Sequence, residues 1–161
     1  MADPAAPQTL LDRLANLERD VRALRAPSPL PGWTTFSTTL IQSGVVTHNP
    51  LYCKYVKFGS LVTVAMQLTV TGGAGVANNN VTVSLPFAAA YASDLTCGIG
   101  VIYDWGSTVT YPGGVVIRTT TTVAMRPLHE TTGGYLGNSH FIQALAASDN
   151  IDMTFTYEAA V

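Results

Sequence analysis

The side chains able to do chemistry in this sequence are scattered. His48, His129 and His140 lie far apart, and no cysteine or acid stands beside them at the spacing a zinc site needs. Glu130 follows His129 directly, but the second histidine of a helical metalloprotease motif is missing. No Gly-x-Ser-x-Gly elbow presents a nucleophilic serine. Gly72, Gly73 and Gly75 match neither the phosphate-loop nor the dinucleotide fingerprint; they fall between two strand-like runs, where a hairpin loop is expected. Asp94, Asp104, Glu130, Asp149 and Asp152 could supply a carboxylate pair for glycan cleavage. They read more simply as turn acids and solvated strand-face groups. The expectation is no enzymatic activity, no metal and no cofactor.

Aromatic rings near turns suggest binding instead. Trp105 and Tyr111 bracket one loop that opens at Asp104, His129 and Tyr135 mark another, and Asn78, Asn79 and Asn80 fill a third. An exposed ring beside Asp or Asn can stack on a sugar face while the polar group bonds the hydroxyls. The competing reading has the same rings closing the ends of a β domain or packing between subunits. The candidate recognition set is Asn78, Asn79, Asn80, Asp104, Trp105 and Tyr111.

The elements that must position these residues follow from a period of two. Val62, Val64, Met66, Leu68 and Val70 alternate with Thr63, Ala65, Gln67 and Thr69. Similar runs are Val81 to Leu85, Cys97 to Tyr103, Val115 to Thr121 and Ile151 to Tyr157. In the second of these Cys97, Ile99, Val101 and Tyr103 form the apolar phase. Phe36 to Ile41, Leu51 to Lys57 and Ser139 to Ala146 are further expected strands. Gly59, Asn78 to Asn80, Pro112 to Gly114, Gly133-Gly134 and Ser148 to Asn150 carry the turn chemistry between them. Seven or eight antiparallel strands at this spacing predict a β-sandwich, jelly-roll-like, over residues 33–161. Alternating strand direction then puts Ser43 to Pro50, Gly72 to Asn80, Asp104 to Gly114 and Ser148 to Asn150 at one, distal, end. Gly59, Pro86 to Asp94 and Arg126 to Asn138 fall at the other.

Upstream the period is 3.5. Leu10, Leu14, Leu17, Val21 and Leu24 are spaced four, three, four, three, a heptad seam with Leu at d. Arg13 and Asp20 take g positions; Glu18 and Arg25 take e positions. In a parallel, in-register bundle of identical chains Arg13 meets Glu18 and Asp20 meets Arg25, both opposite in sign. Thr9 and Asp12 form a capping-box-like start. Pro27, Pro29, Pro31 and Gly32 stop the helix. The expected plan is a flexible arm over 1–8, a coiled-coil helix over 9–26, a Pro-rich linker over 27–32 and the β domain. The fold class expected is mainly β: a short parallel coiled coil followed by an antiparallel sandwich.

A net charge of −2 gives no polycationic face for nucleic acid. Only 11% of residues are charged, so the β domain has a weakly polar surface, suited to partial burial between subunits. No apolar run reaches 18 residues, so no membrane insertion is expected. The N-terminus lacks the basic and apolar regions of a signal peptide, which points to assembly in a cytoplasm and to reduced thiols at Cys53 and Cys97.

Four segments resemble bacteriophage tail-fibre and minor tail proteins: Tyr55 to Val64 (YVKFGSLVTV), Val81 to Pro86 (VTVSLP), Phe155 to Ala159 (FTYEA) and Leu17 to Leu24 (LERDVRAL). The last is similar to the heptad segment that opens many minor tail proteins of phages infecting actinobacteria. The resemblance implies a homotrimeric virion protein. Its N-terminal segment would attach to other virion proteins, and its β domain would meet host-surface glycan. The alternative is a capsid decoration or head-fibre protein that binds and stabilises the shell.

Overall fold

The computed structural model describes residues 12–13, 15–19, 32–73, 75–127 and 143–161. The chain divides into two units, Met1–Pro31 and Gly32–Val161. In the first, Asp12, Arg13 and residues 15–19 are helical. Among the described residues this is one short helix and no coiled coil, which corrects the expected fold. Leu17, a seam residue, is 65% exposed, and Arg13 and Glu18 are exposed beside it. A heptad pattern specifies a stripe but does not supply a facing helix, and little more than two heptads is too short to be stable alone. Leu10, Leu14, Asp20, Val21, Leu24 and Arg25 lie outside the described residues.

The second unit is a closed antiparallel barrel, not a sandwich. Its strands are β1 (Thr34–Thr35), β2 (Leu40–Gln42), β3 (Gly44–Phe58), β4 (Leu61–Gly73), β5 (Val81–Ser84), β6 (Thr96–Asp104), β7 (Val109–Thr119), β8 (Thr122–Pro127) and β9 (Asn150–Glu158). The order β3-β2-β5-β8-β7-β6-β9-β4 returns to β3, so eight strands form a ring and β1 extends one edge of β3. Strand β3 makes the closure possible. It pairs with β2 through residues 44–46 and with β4 through residues 46–58, and register shifts after Thr47 and Pro50 bend it between the two. Bulges of this kind increase local twist and coil a sheet onto itself. Pro50 sits at the second shift, where its missing N–H disturbs the ladder least.

An eight-stranded barrel has an interior that side chains can fill. Val62, Val64, Met66, Leu68 and Val70 of β4 point in, and so do Ile151, Met153, Phe155 and Tyr157 of β9. Strand β6 departs from its sequence pattern. Gly100 and Ile102 face the core, while Ile99 is 74% exposed on the outer wall. The reason is space: a Cβ on Gly100 would stand 3.2 Å from Met153 Cγ and 3.3 Å from Met125 Sδ. Cys97 packs against the core because a register shift between Thr96 and Gly98 turns it inward. Cys53 is buried, both thiols are free, and burial pushes the Cys53 thiol up to about 11.

Further expectations need correction. Of Phe36 to Ile41 only Leu40 and Ile41 are in a strand, and Pro112 to Gly114 lie within β7 and are not a turn. Residues 143–146 are not a strand. The stretch from Ser43 to Pro50 belongs mostly to β3 and is not a loop. Arg126 lies within β8 rather than opening a loop at the Gly59 end.

The Gly59 end is closed by residues 85–90. The Tyr157 hydroxyl donates to the Phe87 carbonyl at 2.9 Å and accepts from the Phe87 N–H at 3.3 Å. Phe36, Tyr55 and Phe87 meet edge to face, with ring centroids 5.9 and 5.1 Å apart. Lys57 Nζ lies 4.3 Å from the Phe87 centroid.

Candidate functional site

The opposite end of the barrel collects the turn between β2 and β3, the β4–β5 loop, the β6–β7 hairpin and residues 143–149. Two buried polar side chains build it. Gln42 Nε2 donates to the Gln143 carbonyl at 2.6 Å, and Gln42 Oε1 accepts from the Leu145 N–H at 2.8 Å. These bonds hold the buried Leu145 in place against the core as a plug. Only glycine fits at Gly75, whose Cβ would stand 2.7 Å from Gln42 Oε1.

Asp149 is 1% exposed and ties the plug to the hairpin. Its Oδ1 accepts from the Trp105 N–H at 3.1 Å and its Oδ2 from the Ala146 N–H at 2.8 Å. Its backbone pairs with Val70. Burial raises the Asp149 pKa, the two N–H donors pull it back, and the charge of Asp104 raises it further.

The hairpin itself is braced by Asp104. Its Oδ1 accepts from the Ser107 N–H at 3.0 Å and its Oδ2 from the Ser107 hydroxyl at 2.7 Å. Thr108 completes the turn at φ 59°, in the left-handed region. Trp105 is left 59% exposed on a backbone fixed from both sides. It borders an open depression of about 150 Å³ lined by Tyr103, Asp104, Trp105, Thr108, Val109 and Thr110. An indole, a phenol and two threonine hydroxyls around one hollow can hold a sugar ring by stacking and hydroxyl bonds.

The sequence-derived set divides. Asn78, Asn79, Asn80, Asp104 and Trp105 lie at this one end. Asn79 serves its own loop, its Nδ2 donating to the Val76 and Ala77 carbonyls at 3.3 and 3.1 Å. Asn78 is exposed with φ 60°. Tyr111 is not on the surface: it is 7% exposed and belongs to the core. His129, Glu130, Tyr135 and His140 lie outside the described residues. Tyr103, Thr108 and Thr110 were missed because a threonine or tyrosine on a strand has no distinctive spacing. Asp149 read as an ordinary turn acid.

Asp94, Asp104 and Asp149 are engaged in structural bonds. Asp104 and Asp149 spend their oxygens on the bonds above. Asp94 pairs with Arg118 at 2.9 Å and Arg126 at 3.3 Å on the outer wall, an exposed cluster worth little in stability. Among the described residues no three His, Cys, Asp or Glu side chains come together as a metal site would require. No helix among them is long and apolar enough to cross a membrane. No protein-family model, no curated protein and no solved structure matches this chain.

Proposed function

We propose that this chain is a non-enzymatic bacteriophage virion surface protein. In this reading it assembles as a homotrimer, attaches to other virion proteins through its N-terminal segment, and meets host cell-wall glycan with the Trp105 end of its barrel. The observation that carries the reading is the exposed Trp105 on a hairpin fixed by Asp104 and Asp149, beside a hollow lined with hydroxyls and a phenol. A ring held rigid before binding loses little entropy when it stacks on a sugar. Occupation of the Asp104 and Asp149 oxygens by backbone and serine donors leaves that pair unfit for acid–base cleavage, which favours holding a glycan over cutting it.

The test is made on particles. Virions carrying Trp105→Ala should contain the protein in normal amount and adsorb to host cells at least tenfold more slowly. Unchanged adsorption overturns the attachment reading. Antibody label confined to the DNA-filled head would move the protein to the shell.

A further inference from the structure

Strand β6 presents its apolar side chains on the wrong side for a free-standing barrel. Ile99, Val101 and Tyr103 face outward while Gly100 and Ile102 face the core. An antiparallel wall that meets water normally alternates to polar residues there. The neighbouring strands extend this wall in register. Val101 lies beside Asp152, then Gln67, then Tyr52; Ile99 lies beside Thr154, then Ala65, then Lys54. Leu51, at the β3 bulge, is also exposed.

Two charges on this wall make no ion pair among the described residues, and Asp152 has only the Gln67 side chain beside it. Asp152 Oδ1 is buried and has no hydrogen-bond partner, beneath a shallow depression lined by Tyr52, Ile99, Val101 and Thr154. Lys54 is exposed and makes no ion pair among the described residues. Their backbones are offset by two strands and two residues, about 12 Å at ordinary strand spacings, and they form no ion pair with each other within the chain. The wall therefore carries a cation and apolar groups on its β3 flank, and an acid and apolar groups on its β6–β9 flank.

We infer that this wall is the contact between copies of the chain: the β3 flank of one copy packs on the β6–β9 flank of the next. Lys54 meets Asp152 of the neighbouring copy, and Leu51 and Tyr52 cover Ile99 and Val101. A contact between two different flanks made head-to-tail gives a ring where the rotation between copies closes, three copies in the proposed trimer; made reciprocally by two copies it gives a twofold dimer. The inference rests on the self-association part of the proposed function and is independent of glycan binding.

The test is the mass of the full chain in solution, by light scattering across a concentration series. Wild type, Ile99→Glu, Lys54→Glu and the charge swap Lys54→Glu/Asp152→Lys are compared, with circular dichroism melts for each. Ile99→Glu and Lys54→Glu alter exposed side chains, so their melts report on folding separately from assembly. Both should associate at least tenfold more weakly, and the swap should recover most of the loss from Lys54→Glu. Lys54→Glu assembling like wild type, or a folded swap no better than Lys54→Glu, overturns the contact. Dimers that dissociate and recover in this pattern uphold the contact and overturn the trimer. A wild-type monomer at all concentrations overturns both.

Discussion

Replacing Asp149 by alanine should loosen the Trp105 end more than any other single change to an acid. The carboxylate is buried and accepts two backbone N–H groups, from Trp105 and Ala146. Truncation leaves both donors without a protein partner, and a buried donor without a partner costs about 1–3 kcal/mol. Loss of a buried charge returns part of that, because burial works against the ionised form. The net expectation is about 2–4 kcal/mol of lost stability. Asp149→Asn keeps one acceptor but turns a donor toward the second N–H, so it should cost roughly half as much. Urea unfolding gives the magnitude, and amide hydrogen exchange at Trp105 gives the location. The expected result is a lower midpoint with an unchanged slope and faster exchange at Trp105. If Asp149→Ala unfolds within about 0.5 kcal/mol of wild type and the Trp105 amide stays protected, Asp149 does not hold the hairpin.

Two further predictions concern the barrel wall and pH. Gly100→Val places branched methyls against Met153 and Met125, where a Cβ alone already stands 3.2 and 3.3 Å from them, so it should cost about 1–3 kcal/mol by overpacking; a thermal melt equal to wild type would show that β6 can shift outward freely. Asp152 has a pKa raised first by burial, with the Gln67 side chain opposing. A raised acid contributes most below its unfolded pKa and loses that contribution as pH rises through the folded value. Wild type should therefore gain stability relative to Asp152→Asn as pH falls from neutral into the carboxylate range, and a constant difference across that range would refute the shift.

The sequence was most readable where alternation coincided with bulky side chains on the inner face. Val62 to Val70 and Ile151 to Tyr157 point inward as their spacing predicts. On β6 the same rule failed, because Met153, Met125 and Phe155 from other strands fill the space and leave glycines as the only fit. Strand β8 was missed because Thr122 to Pro127 is short and ends in proline. Its omission misplaced Arg126. Closure of the sheet was not legible either. The alternation of a sandwich and a barrel is identical, and the difference lies in whether β3 can bend to reach both β2 and β4. In the candidate site, Trp105 was identifiable by residue type and turn position. Gln42 and Asp149 were not, since their partners are backbone groups as many as 103 residues away in sequence.

The most direct test of glycan attachment uses the intrinsic fluorescence of Trp105. The chain has two tryptophans, so a Trp33→Phe background leaves Trp105 as the sole indole reporter. This protein is titrated with soluble oligosaccharides released from the host cell wall. Stacking should shift and saturate the Trp105 emission. In parallel calorimetry on the wild-type background, Trp105→Ala should bind the same sugars at least tenfold more weakly, about 1.4 kcal/mol, with its melting temperature preserved. An emission spectrum unmoved by any wall fraction, or a Trp105→Ala protein that binds as tightly as wild type, would contradict the account.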